Sequence, residues 1–152
     1  MATMPSSGQD TSSMITTEAQ SYLGTRVGLG NCRHFVNRIL KNTGTTIGPA
    51  DTVAHEAVQP GDIFLTAGFY RITTGDIYDD IEGIGAHTAI VLTVLGENRY
   101  EIIEQNTDGK KVSIRIIDLT ITGYTRDYGT YFLRPRTGDH NKSAKKFLKY
   151  QY

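Results

Sequence analysis

The nine residues His87-Thr-Ala-Ile-Val-Leu-Thr-Val-Leu95 constrain the fold more than any other segment. Apolar residues fall on both faces of the run, which is the pattern of a strand covered on two sides. A hairpin signal, Gly96-Glu97-Asn98, follows at once, and Arg99–Asn106 alternates as a partner strand. The run therefore reads as the central strand of an antiparallel sheet. Turn residues mark further strands at Ile63–Thr66 after Pro60-Gly61-Asp62, at Lys111–Ile117 after Asp108-Gly109, and at Thr130–Arg134 before Pro135.

Two helical segments precede these strands. Ile15–Leu23 is short and ends at Gly24. Asn31–Leu40 is stronger, because Cys32, Phe35, Val36, Ile39 and Leu40 share one helical face. Asn31 suits the N-cap and Gly44 the C-terminal stop. Asn42–Gln59 reads as irregular, with a helical turn near Val53–Val58. Helices first and a meander of about five strands after them make an α+β fold, with N-terminal helices packed on an antiparallel sheet. Residues 1–14 read as a disordered leader, 15–136 as one domain and 137–152 as a basic tail.

Composition excludes several classes of function. The 152 residues suit a single domain, and sixteen basic residues balance sixteen acidic ones. No global field attracts nucleic acid, and no recognised nucleic-acid-binding motif is present. No apolar run is long enough to span a membrane, and the leader lacks a secretory pattern. The chain is thus expected to be made in the cytoplasm, and to need a dedicated delivery system if it acts on a wall or in a periplasm. One cysteine excludes an internal disulfide and a multi-cysteine zinc site. No metal or other cofactor is expected.

The candidate chemistry centres on that cysteine. A thiol in the first turn of a helix lies beside unpaired backbone N–H groups and the positive end of the dipole, both of which favour thiolate. A buried cysteine also serves as a small hydrophobe, so a partner is needed to decide. Of the four histidines, His140 lies in the polar tail, His55 in a solvated loop and His34 on the opposite helix face from Cys32. His87 opens the central strand, where its backbone is held rigid. On the next strand Tyr100, Ile102, Glu104 and Asn106 share a face. Pairing Leu95 with Arg99 places His87 opposite Thr107, and a shift of one residue places it opposite Asn106. In the shifted register Glu104 or Asn106 reaches the imidazole, completing a nucleophile, base and orienter.

Four segments in order resemble the CHAP cysteine amidases and peptidases of the NlpC/P60 group: Asn31-Cys32 with Phe35-Val36, Pro60-Gly61-Asp62-Ile63, Ala86-His87-Thr-Ala-Ile-Val91, and Ile103-Glu104-Gln-Asn106. The resemblance implies a papain-like fold and hydrolysis of amide bonds, commonly in peptidoglycan. It implies Cys32 as nucleophile, His87 as base, Glu104 as its orienter, and Asn106 as support for the site or its oxyanion. The first segment also looks like the nucleophile motif of LRAT-type acyltransferases, in which the histidine precedes the cysteine.

The chain departs from CHAP lysins in lacking carboxylates over Thr25–Leu29, where some carry a calcium loop. It has no tryptophan. Gly68–Gly85 reads as a long inserted loop, either a solvated acidic surface or a lid. As a lid, its Asp76, Tyr78, Asp79 and Asp80, with Asn31 beside the thiol, bind an amine-bearing substrate group. The expected function is therefore a cysteine amidase or endopeptidase acting on peptidoglycan peptides, as a phage lysin domain or an antibacterial effector with an immunity protein as partner. An intracellular thiol acyltransferase or amidase, and a non-catalytic binding module on the same fold, stay open as alternatives.

Overall fold

The computed structural model describes residues 7–72, 81–106, 110–123 and 125–137. In chain order these form helices α1 (Ser7–Gln20) and α2 (Cys32–Thr43), then strands β1 (Thr45–Thr46), β2 (Thr52–Val53), β3 (Ile63–Thr66), β4 (Phe69–Ile72), β5 (Ile81–Ile84), β6 (His87–Gly96), β7 (Arg99–Glu104), β8 (Ser113–Asp118), β9 (Thr125–Asp127), β10 (Thr130–Leu133) and β11 (Arg136–Thr137). The architecture is α+β. The main sheet has six strands in the order β2-β10-β3-β6-β7-β8, one more than the five expected. The extra strand is β2, a two-residue segment that pairs with β10 inside the stretch read as irregular. The strand pairings among the described residues are antiparallel, and β6 lies inside the sheet between β3 and β7.

Helix α2 follows its sequence pattern. Cys32, Phe35, Val36, Ile39 and Leu40 are all buried. The Asn31 side chain accepts the His34 backbone N–H at 2.9 Å, and Gly44 ends the helix at φ 65° with its N–H on the Leu40 and Lys41 carbonyls. That left-handed turn suits glycine.

Helix α1 corrects the expected leader. Residues 7–14 are its first half. Thr11, Ile15 and Ala19, one turn apart, are buried, and the Ser12 hydroxyl donates to the Pro60 carbonyl. Polar composition hid this helix, because tertiary contacts hold it rather than apolar periodicity.

The apolar side chains form two clusters, one on each face of the main sheet. Ile63, Leu65, Ile90 and Ile103 meet the helices, while Phe64, Ala89, Val91, Ile102 and Phe132 pack on the other face. His55 belongs to the second layer. It is half-buried in a short 3-10 turn, its ring edge-on to Phe132 at 5.2 Å, rather than solvated. The segment read as a loop insertion contributes β4 and β5, an antiparallel pair that joins β9 in a three-stranded sheet.

Asp62 ties the turn before β3 to the end of β10. Its buried carboxylate takes Arg134 in two bonds, Nε to Oδ1 at 3.1 Å and Nη2 to Oδ2 at 3.0 Å, and accepts the Gln59 N–H at 2.9 Å. Arg134 is partly exposed, so water meets some of its charge once the carboxylate is gone. Asp62→Asn is expected to lower stability by about 2 kcal/mol, read from the urea midpoint. An unchanged midpoint would show that the pair contributes nothing.

Candidate active site

The position of His87 follows from the register of β6. Its ladder with β7 runs Ile90↔Ile103 and Val91↔Ile102, then slips at Thr93↔Glu101 and again at Gly96↔Arg99. These irregularities near the hairpin produce the shifted register rather than the simple one. Three steps beyond Ile90↔Ile103 bring His87 level with Asn106. Asn106, however, lies past the end of β7, exposed, with φ 81°. The side chain that meets the imidazole is Glu104, on the same face two residues earlier. His87 Nε2 and Glu104 Oε1 are 2.8 Å apart, and both residues are buried.

The other ring nitrogen, Nδ1, is left for Cys32. Cys32 and His87 lie close enough for each to shift the other's pKa, so the N-terminus of α2 meets the start of β6. The backbone N–H groups of Arg33 and Thr88 also point at the sulfur. Thr88 has its N–H free for this because the β6–β7 pairs begin only at Ile90, which leaves residues 87–89 paired on the β3 side alone.

Burial by itself raises the thiol pKa, but the His87 hydrogen bond and charge, with the two backbone N–H groups, bring it below its ordinary value. Burial likewise lowers the His87 value, and the hydrogen bonds and charges of Cys32 and Glu104 raise it above the ordinary one. Both directions favour thiolate beside imidazolium. A thiolate held against a proton donor at a helix N-terminus can attack an electrophilic carbonyl.

Two residues that sequence reasoning did not single out complete the surroundings. Gln105, fully buried, faces away from Glu104 and straps the loop that leads into α2. Its Oε1 accepts the Val27 N–H at 2.7 Å, and its Nε2 donates to the Val27 and Asn31 carbonyls, each at 2.9 Å. Arg115 of β8 places Nε 2.6 Å from Glu104 Oε2. Locally Arg115 reads only as a lone cation among isoleucines on an alternating strand. The signal for Gln105 was its place between Glu104 and Asn106.

His34 serves the same loop. Its Nδ1 accepts the Leu29 N–H at 2.8 Å, so Nε2 carries the proton in the neutral ring. Gly28 turns beneath it at φ 57°, and a Cβ there would lie 2.6 Å from His34 Nδ1. Asn31 is placed beside the thiol, with its side-chain oxygen engaged in capping α2. Asp76, Tyr78, Asp79 and Asp80 lie outside the described residues, as does the tail beyond Thr137. Among the described residues, no group of three His, Cys, Asp or Glu side chains is placed to hold a metal, and no helix is long and apolar enough to cross a membrane. Compared with known proteins, the chain matches no family model, no curated protein and no solved structure.

Gln105→Leu strands the Val27 N–H and two carbonyls without their partner. It is expected to cost about 2–4 kcal/mol in urea unfolding and to speed hydrogen exchange at Val27. Unaltered exchange at that amide would contradict the strap. Alkylation of Cys32 should also persist well below the range of a free thiol, since the reactive species is the thiolate and its pKa is lowered. The rate falls only as pH drops through that lowered value. His87→Ala removes the main cause and is expected to move the midpoint of the iodoacetamide pH–rate profile toward alkaline pH. A wild-type midpoint at about 8.5, the value of an unperturbed thiol, would contradict the assignment.

Proposed function

We propose that the chain is a cysteine-dependent amide hydrolase of the papain-like, CHAP type, acting on the peptides of peptidoglycan. The observation that carries the reading is the line from Cys32 through His87 to Glu104, with the thiol at a helix N-terminus. The substrate class rests on the ordered resemblance of the four segments around Cys32, Asp62, His87 and Glu104.

In this reading the Cys32 thiolate attacks the amide carbon. The carbonyl oxygen becomes an oxyanion, for which the Cys32 backbone N–H at the start of α2 is a ready donor. The C–N bond then breaks as the His87 imidazolium gives its proton to the departing amine, leaving an acyl thioester. His87, now neutral, takes a proton from water. The hydroxide adds to the thioester carbon and the C–S bond breaks, releasing a carboxylic acid and restoring the thiolate. Glu104 holds His87 in the tautomer that presents Nδ1 to the sulfur and steadies the imidazolium charge. The expected role for Asn106 is support of the site, consistent with its place just after Glu104.

The test uses purified sacculi incubated with wild type, Cys32→Ala and Glu104→Gln. Wild type is expected to release soluble peptides or expose new amino groups. Cys32→Ala should release none, and Glu104→Gln should be slower by about 10²-fold, the scale on which a positioned acid–base group contributes. Equal release by wild type and Cys32→Ala, or none by either, would sink the wall-hydrolase reading.

A further inference from the structure

We propose that Arg115 is a positioning residue of the Cys32 site: from the edge strand β8 it supplies the counter-charge that keeps the Glu104 carboxylate ionised opposite His87. The inference rests on the reading of Cys32 as an activated thiol and extends the site to a fourth residue that makes no contact with the sulfur.

Glu104 has 0% exposure, so water does not stabilise its charge. Each carboxylate oxygen instead faces a cation-forming side chain. Oε1 lies 2.8 Å from His87 Nε2, and Oε2 lies 2.6 Å from Arg115 Nε. Arg115 stands opposite Ile102 in the β7–β8 ladder, so it shares the face on which Glu104 lies and reaches it diagonally. Its Nε–H makes no well-angled hydrogen bond, so the contact acts through charge rather than direction. The rest of the side chain, 37% exposed, borders a groove of about 630 Å³ lined by Phe69, Ile84 and Ile117. His87 from β6 and Arg115 from β8 are charged groups that face Glu104, with Cys32 of α2 beyond the imidazole.

A second cation favours the ion pair. A buried carboxylate facing an imidazolium alone can take its proton, leaving a neutral acid and a neutral ring. The thiolate then loses its counter-ion and its hydrogen-bond donor together. A guanidinium does not surrender its proton in this way. With Arg115 on the far oxygen, protonating Glu104 would leave that guanidinium without its anion, so the proton stays on His87.

Cys32 is the sole thiol, so its alkylation reports the site without any substrate. Iodoacetamide pH–rate profiles and thermal melts are to be recorded on the full chain for wild type, Arg115→Lys and Arg115→Gln. Arg115→Gln is expected to move the Cys32 midpoint alkaline by about one pH unit, a roughly tenfold loss of rate on the acid side of the profile. Arg115→Lys keeps the charge and should stay within about threefold of wild type there. Arg115→Met replaces Arg115→Gln if the latter does not fold, with the same shift expected. A wild-type midpoint in the neutral variant, or equal shifts in the lysine and neutral variants, overturns the proposal while leaving the activated thiol intact. An ordinary alkaline midpoint in wild type overturns both.

Discussion

Glu104 is a carboxylate with no access to water, and such a group is stable only if its charge is answered locally. Its oxygens meet His87 on one neighbouring strand and Arg115 on the other. That is possible only because β6, β7 and β8 are adjacent in the sheet and β7 is the middle one. Register matters as much as order. The slips near the Glu97-Asn98 turn bring His87 level with the end of β7, so that Glu104 falls on its face and within reach. A sheet with the same strands in the unshifted register would put these groups on opposite faces.

The same charge line governs the thiol. Burial alone pushes Cys32 and His87 toward their neutral forms, the first by raising its pKa and the second by lowering it. Taken together the pair reverses both effects, since each ion is the other's partner and Glu104 stands behind the imidazolium. The backbone contributes as well, through the N–H groups of Arg33 and Thr88. The arrangement needs the sulfur held in place, and the loop before α2 is fastened for that purpose by Gln105 below and by the Leu29–His34 contact above.

Features governed by short-range periodicity were legible in the sequence. The β6 run, the hairpin after it, the buried face of α2 and both of its caps can be read from a few consecutive residues. Features set by distant contacts were not. The first half of α1, Ser-Gly-Gln-Asp-Thr-Ser-Ser-Met, carries little apolar signal, and it is held with Thr11 buried and Ser12 bonded to the Pro60 carbonyl. Strands β4 and β5 are four residues each and flank an acidic stretch, which made the whole segment resemble a loop. Alternation placed Glu104 and Asn106 on one face but did not choose between them. The choice depends on where β7 ends, and Asn106 with its left-handed φ lies just beyond that point. Arg115 carried the signature of a solvent-facing charge, because nothing local indicates that its neighbour across the ladder is buried.

The site lies where the two faces of the sheet communicate. Helix α2 packs on the face of Ile63, Leu65, Ile90 and Ile103, whereas His87 and Glu104 continue the rows of Ala89, Val91 and Ile102 on the other. A side chain from one layer normally cannot reach the other through a hydrogen-bonded sheet. Here β6 extends three residues past its last pair with β7, and the Thr88 N–H in that stretch points at the sulfur of Cys32 at the start of α2. Part of the hydrogen-bonding capacity left along that buried stretch is taken up by the sulfur through Thr88. The departure of β7 from β6 thus does two things at once. It turns Gln105 back toward the helix side to fasten the loop, and it lets the thiol reach the imidazole on the far side.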